Sequence, residues 1–88
     1  MIASVADDES NNETLDELLI RFGKHLRSKR ESLGLTSAEM ARKSDIGRGN
    51  YANIESGKKD LQLSTIMKLC KGFGLSYYEL FEGFRNNP

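Results

Sequence analysis

At three points in this chain, the pattern Ser/Thr-x-x-Glu stands where an apolar repeat with helical spacing begins. The three copies are Thr14–Glu17, Thr36–Glu39 and Ser76–Glu79. In such a capping box, the hydroxyl and the carboxylate bind backbone N–H groups that a helix leaves free at its start. Because these local signals agree with the periodicity, they predict helices at three points, and no segment convincingly predicts a strand.

Apolar spacing and helix-ending glycines divide residues 14–84 into five predicted helices. The predicted helices cover residues 14–34, 36–43, 48–56 and 63–72, and a last one opens at Ser76. Residues 44–47 form a turn between the second and third helices, with Ile46 as its apolar plug. The apolar side chains expected to face the core are Leu15, Leu18, Leu19, Phe22, Leu26, Leu33, Met40, Ala41, Tyr51, Ile54, Leu63, Ile66, Leu69, Cys70 and Phe73, and the last helix has apolar positions at Leu80, Phe81 and Phe84.

The net charge of zero hides a split along the chain. Residues 1–20 contain six acidic residues and no Lys or Arg, so they carry −6, and the remaining residues carry +6. We interpret residues 1–13 as a disordered acidic arm, 14–84 as one domain and 85–88 as a short tail. The positive charge of the remaining residues fits either a phosphate-binding surface or an ordinary solvated surface. One hypothesis is that the acidic arm shields this basic surface from nonspecific DNA.

The residues that carry catalytic or metal chemistry are scarce. One cysteine, Cys70, and one histidine, His25, form no metal-ligand cluster, and no serine lies in a nucleophile motif. We therefore expect no enzyme, metal or cofactor. We expect Cys70 to be a buried inert thiol, His25 to be solvated, and Tyr51 to be a core residue with its hydroxyl at the surface. With no secretory signal or membrane span in sight, a cytoplasmic location is expected.

The two short central helices and their tight turn could act as a rigid DNA reader, since a helix fits the major groove. At this point the sequence resembles the phage lambda and 434 repressor/Cro family, also called the xenobiotic-response-element family. The resemblance covers about residues 20–81. The segments that carry it are LTSAEMA at 35–41, SDIG at 44–47, YANIESGKK at 51–59 and LCKGFGLS at 69–76. It implies a five-helix, lambda-repressor-like DNA-binding domain that contains a helix-turn-helix.

The resemblance also implies roles for individual residues. Arg48 would bond guanine or hold a phosphate, and Asn53 would bond a base edge, most naturally adenine. It implies a scaffold ion pair between Arg30 and Glu55. The full base-facing set is Arg48, Gly49, Ala52 and Asn53, and the phosphate-facing set is Ser37, Gly47, Asn50, Lys58 and Lys59.

Four positions depart from the family pattern, and one of them, Gly47 at the N-cap of the reading helix, is acceptable there. The family often has Gln where this chain has Ser37, and Pro where it has Leu61. Gly49 stands inside the reading helix, where glycine costs roughly 1 kcal/mol relative to Ala. Either the backbone approaches DNA closely there, or the helix is loose and its specificity weak.

The predicted function is a sequence-specific, repressor-type transcriptional regulator that binds double-stranded DNA. It would bind a two-fold symmetric operator as a homodimer without a cofactor. The alternative is a protein-interaction module, such as an antitoxin, whose main partner is a protein. Aromatic side chains near the C-terminus exceed what a chain of 88 residues easily buries, which makes them candidates for the dimer interface: Tyr77, Tyr78, Phe81 and Phe84.

Overall fold

A computed structural model describes residues 12–84, and this part of the chain forms five α-helices and no strand. The predicted all-α class is therefore confirmed for these residues. Residues 1–11 of the predicted arm and the predicted tail, 85–88, lie outside the described residues. The helices are α1 (Leu15–Ser32), α2 (Ser37–Ser44), α3 (Arg48–Glu55), α4 (Leu63–Phe73) and α5 (Tyr77–Phe81).

All three capping boxes are present, at the starts of α1, α2 and α5. At α2, the N–H of Glu39 donates to Oγ1 of Thr36 at 3.0 Å, and the N–H of Thr36 donates to Oε1 of Glu39 at 2.8 Å. Helices α3 and α4 begin differently, because Gly47 and Gln62 provide no side-chain cap. The two other boxes pair Thr14 with Glu17 and Ser76 with Glu79.

The core forms where α1 packs on α3, where α2 packs on α3 and α4, and where α5 packs on α4. Each helix contributes at least one buried apolar residue. Because both α1 and α2 pack on α3, neighbouring helices fix α3 on more than one side. The largest fully buried apolar side chains are Leu26, Met40, Tyr51, Leu69 and Leu80.

Several apolar residues predicted to be buried are exposed instead. Leu63 is 86% exposed, and Leu15, Leu18 and Leu33 are also exposed. All four lie near the first or last turn of a helix or just beyond it. Periodicity predicts the direction in which a side chain points around the helix axis, but not how far along the axis a neighbouring helix extends. Leu15 and Leu18 line an open apolar groove of about 200 Å³ instead of the core.

An aromatic cluster holds α5 against α1. The ring of Phe22 stacks on Phe81 with centroids 5.2 Å apart and meets Phe84 edge-on at 5.4 Å. The expectation that His25 is solvated is wrong, because its Nε2 lies 2.7 Å from the carbonyl oxygen of Leu80 in a partly buried position. This bond requires the proton on Nε2, so the imidazole donates to α5 and helps to fix it.

Glu13, which the sequence analysis assigned to the acidic arm, contacts α1. Its carboxylate accepts two hydrogen bonds from the Arg21 guanidinium, at 2.6 and 2.9 Å. The same guanidinium lies 4.4 Å from the ring centroid of Phe84. Arg21 thus links the residue just before the N-cap of α1 to the aromatic cluster. Among the described residues, no helix is both long and apolar enough to cross a membrane.

Candidate nucleic-acid interface

Helices α2 and α3 are joined by a three-residue turn. Helix α2 ends at Ser44, and its C-cap residue Asp45 adopts a left-handed conformation with φ 57°, a geometry that Asp tolerates better than most residues. The N–H of Ile46 then donates to the carbonyl of Ala41 at 2.9 Å, and the Ile46 side chain packs against the core. The turn is therefore anchored by backbone and side chain alike, which fixes α3 relative to α2.

Helix α3 has one buried and one exposed face. Tyr51 and Ile54 are buried, as their spacing predicted. On the opposite face lie the four residues predicted to meet DNA bases, and all of them are exposed. A short helix that is anchored on one side and open on the other can present side chains to a groove without losing its position. The four exposed residues are Arg48, Gly49, Ala52 and Asn53.

Tyr51 differs from its prediction in one respect. Its hydroxyl does not lie at the surface but donates to Oε2 of Glu55 at 2.6 Å. Burial, followed by this bond to a carboxylate, raises the pKa of the phenol well above its usual range. Tyr51 therefore stays protonated and acts as a donor inside the scaffold.

The Arg30–Glu55 ion pair joins α1 to the last turn of α3. The guanidinium donates to the carboxylate through Nε at 2.7 Å and Nη2 at 3.1 Å. Its Nη1 donates to the carbonyl of Leu35 at 2.8 Å, which also ties down the segment before α2. The bond to Glu55 raises the pKa of Arg30. These contacts give the pair the scaffold position that the family resemblance implied.

The residues predicted to face phosphate lie at the helix starts and in the loop after α3. Ser37 is half-buried at the first position of α2, and Gly47 is exposed at the N-cap of α3. The structure adds a contact that the sequence did not indicate: Nζ of Lys59 donates to Oδ1 of Asn50 at 3.3 Å. Nine residues separate this pair, so no helical spacing rule would have found it.

The loop after α3 is held by Gly57. This residue has φ 75°, and a Cβ on it would lie 2.7 Å from the Cα of Ile20 on α1. The next N–H, from Lys58, donates to the carbonyl of Asn53 at 2.9 Å. A glycine at this point lets the loop reverse against α1 and run back beside α3.

The four predicted dimer candidates divide into two pairs. Phe81 and Phe84 pack in the aromatic cluster with Phe22, although Phe81 stays partly exposed. Tyr77 and Tyr78 are well exposed at the start of α5. Sequence reasoning missed two further exposed apolar residues, Leu63 and Met67, which lie one turn apart on α4.

The thiol of Cys70 and the His, Asp and Glu side chains are the remaining groups with potential catalytic or metal-binding chemistry. Cys70 is buried, and burial raises the pKa of its thiol, which disfavours the reactive thiolate. Within residues 12–84, no three His, Cys, Asp or Glu side chains lie together in a way that could hold a metal ion.

The sequence of this chain is similar to those of known helix-turn-helix proteins. The sequence profile described as Helix-turn-helix matches residues 26–80. The control protein C.MunI of Mycoplasma sp is 32% identical over 68 residues, which cover 76% of this chain and 92% of that protein. The HTH-type transcriptional regulator ImmR of Bacillus subtilis (strain 168) is 35% identical over 55 residues, which cover 62% of this chain and 43% of ImmR.

A solved structure shows the same fold. The crystal structure of the restriction-modification controller protein C.AhdI from Aeromonas hydrophila superposes with a TM-score of 0.68 at 32% identity. The match covers 72% of this chain and 96% of C.AhdI. The similarity thus extends over the helix-turn-helix and the helices that support it.

Proposed function

Because this chain belongs to the helix-turn-helix family, we propose that it is a sequence-specific, DNA-binding transcriptional regulator of the repressor type. One observation carries the proposal: α3 is buried on one side by Tyr51 and Ile54, while its other side is open to a groove. A regulator of this kind acts by occupying its site on DNA, in the cytoplasm. The names of C.MunI and C.AhdI favour a controller role, since the chain covers almost all of both proteins.

In this proposal the exposed side chains of α3 read the bases. The Arg48 guanidinium can donate two hydrogen bonds to guanine, and the Asn53 amide can both donate to and accept from adenine. Gly49 and Ala52 lie between them and allow close approach. The residues assigned to the sugar–phosphate backbone, which position α3 without reading sequence, are Ser37, Gly47, Asn50, Lys58 and Lys59.

The proposed binding form is a homodimer with one α3 per half-site. Exposed apolar side chains on α4 and at the start of α5 support it, because such groups gain free energy when a second copy covers them. Two half-sites about 34–36 Å apart, one turn of B-DNA, would then receive the two reading helices. The exposed side chains are Leu63, Met67, Tyr77 and Tyr78.

Selection of bound sequences from a random duplex pool tests the whole proposal. We expect a two-fold symmetric sequence to be enriched, and its half-site spacing to match one helical turn. Affinity for the recovered duplex should fall steeply as salt rises, through counterion release. Failure to bind any duplex at low salt would contradict the regulator and favour a protein partner as the main target.

Substitutions separate reading from simple charge attraction. Arg48→Ala combined with Asn53→Ala should weaken binding to the recovered duplex more than binding to a random duplex. Equal losses on both would mean that the two residues meet only phosphates. Arg27→Ala, on an exposed part of α1 outside the proposed interface, is the matched control for loss of one positive charge.

A second substitution tests the dimer. Met67→Glu places a charge beside Leu63 on the exposed face of α4, and it should shift the protein toward monomer in sedimentation velocity. The same change should weaken binding to a symmetric duplex more than binding to a single half-site. A chain that sediments as a monomer before any substitution would contradict the homodimer.

A further inference from the structure

The side chain of Lys59 reaches back along α3 to the first turn of that helix. Gly57 reverses the chain after α3, and the loop lies against Ile20 of α1. From this fixed loop, Nζ of Lys59 reaches Oδ1 of Asn50, the third residue of α3, at 3.3 Å. Lys58 is also exposed, but its side chain makes no hydrogen bond within the described part of the chain. The two neighbouring lysines are therefore not equivalent.

The position of Lys59 is electrostatically unfavourable without a partner. A helix start carries partial positive charge, which disfavours a nearby ammonium group. Gly47 offers no side-chain cap there, so the first N–H groups of α3 are free to bind an anion. The Asn50 amide oxygen holds the ammonium through one of its three donors, which leaves two donors for another acceptor.

The surroundings of the pair form a small recess. Its volume is about 130 Å³, and Lys68 and Thr65 of α4 line it together with Asn50 and Lys59. The acidic side chain of Asp45 also borders it. Two ammonium groups, a hydroxyl and an uncapped helix start thus lie along the side of α3 that carries Asn50 and Ile54.

We propose that Asn50 contributes to the sugar–phosphate contact through Lys59: it is a positioning residue, which holds Lys59 ready for one backbone phosphate next to the start of the reading helix. This inference rests on the proposed function, since that phosphate belongs to the DNA that α3 reads. A free lysine side chain loses rotamer freedom when it binds, and Asn50 removes part of that loss in advance. Asn50 and Lys59 then act as one unit, while Lys58 contributes an independent contact.

A double-mutant cycle tests the coupling. The variants are Asn50→Ala, Lys59→Met and both together, and the readout is the Kd for the duplex recovered by selection. We expect Asn50→Ala to weaken binding about fivefold when Lys59 is present and less than about twofold in the Lys59→Met background. Lys59→Met should also reduce the slope of log affinity against log salt by about 0.9.

A parallel cycle with Lys58 is the control. Asn50→Ala should cause the same fold-loss with and without Lys58→Met, because Lys58 does not contact Asn50. If Asn50→Ala weakened binding by the same factor with Lys59 present and in the Lys59→Met variant, the positioning role would be overturned. The proposed function as a DNA-binding regulator would still stand. A wild-type chain that binds no duplex would overturn the proposed function and this inference together.

One measurement needs no DNA. The side-chain amide resonances of Asn50 in NMR spectra should shift on Lys59→Met and stay in place on Lys58→Met. Identical spectra in the Lys59→Met variant and the wild type would show that the bond is not populated in solution, and would overturn the inference. Circular dichroism of each variant should match the wild type, since both side chains are exposed.

Discussion

Arg30 on α1 and Glu55 in the last turn of α3 form an ion pair through two hydrogen bonds, with only 11% and 10% of their side chains exposed. The carboxylate of Glu55 also accepts the hydroxyl proton of Tyr51, so one acidic group ties α3 to α1 and to its own preceding turn. The position of the reading helix thus depends on a group that lies away from the proposed DNA contacts.

Glu55→Gln tests how much this network stabilises the fold. The substitution keeps the side-chain shape but leaves the Arg30 charge without a counter-ion in a poorly solvated place. We expect the free energy of unfolding to fall by about 2–4 kcal/mol, measured by urea denaturation. Arg27→Gln, which breaks the exposed pair with Glu31, should cost less than about 1 kcal/mol. Similar losses in both variants would contradict a special role for the buried pair.

The contact between α2 and α4 depends on Gly72. A Cβ on Gly72 would overlap Oγ of Ser44 and lie 2.9 Å from its Cβ. Gly72→Ala should therefore lower the free energy of unfolding by about 1–3 kcal/mol, although alanine normally favours a helix. Thermal and urea denaturation would both report this loss.

Substitution of Ser44, the residue that the new Cβ would overlap, complements the Gly72→Ala experiment. Its hydroxyl is buried and has no hydrogen-bond partner among the described residues, so Ser44→Ala should leave stability unchanged or raise it by about 1 kcal/mol. In the Gly72→Ala background, Ser44→Ala should recover part of the loss, because the overlapping oxygen is gone. No recovery would mean that the helix backbones, and not the hydroxyl, resist the added methyl group.

Signals that act over a few residues predicted most of the fold. The capping boxes gave the starts of α1, α2 and α5, because the hydroxyl and carboxylate lie within one turn of each other. The buried faces of the central helices also followed from spacing. Exposure at helix ends did not follow from spacing, because it depends on how far neighbouring helices extend. Leu63 at the start of α4 is an example.

The contacts that the sequence did not indicate join residues that are distant along the chain. The bond of His25 to the Leu80 carbonyl spans 55 positions, and the Lys59–Asn50 bond spans nine. Neither separation has a pattern in the sequence. The Arg30–Glu55 pair spans 25 positions, and only the family resemblance indicated it.

Acid should weaken the fold through the capping carboxylates. The pKa values of Glu39 and Glu79 lie below the ordinary 4.5, mainly because each carboxylate accepts a backbone N–H at the start of its helix. A carboxyl whose pKa is lowered on folding stabilises the folded state while it is ionised. That stabilisation is complete above about pH 4.5 and is lost as the pH falls through the lowered folded value.

Glu39→Gln together with Glu79→Gln tests this dependence. Glutamine can make the same capping bond but does not titrate, so the melting temperature of the double variant should fall less between pH 5 and pH 3 than that of the wild type. Glu82→Gln, at a carboxylate that caps no helix start, should keep the wild-type dependence. Parallel curves for the double variant and the wild type would contradict the prediction.

Gly49 offers a test of how closely DNA approaches α3. A Cβ at this position would meet no atom within 4 Å, so nothing in the described fold requires glycine there. Gly49→Ala should therefore raise the free energy of unfolding by about 0.5–1 kcal/mol, the reverse of the effect at Gly72. We expect the same change to weaken binding to the selected duplex about tenfold, because a methyl group would stand between the backbone and the base edges. Binding to a random duplex should hardly change. A stabilised variant that binds the selected duplex as tightly as the wild type would instead support the other hypothesis, in which Gly49 only loosens the helix.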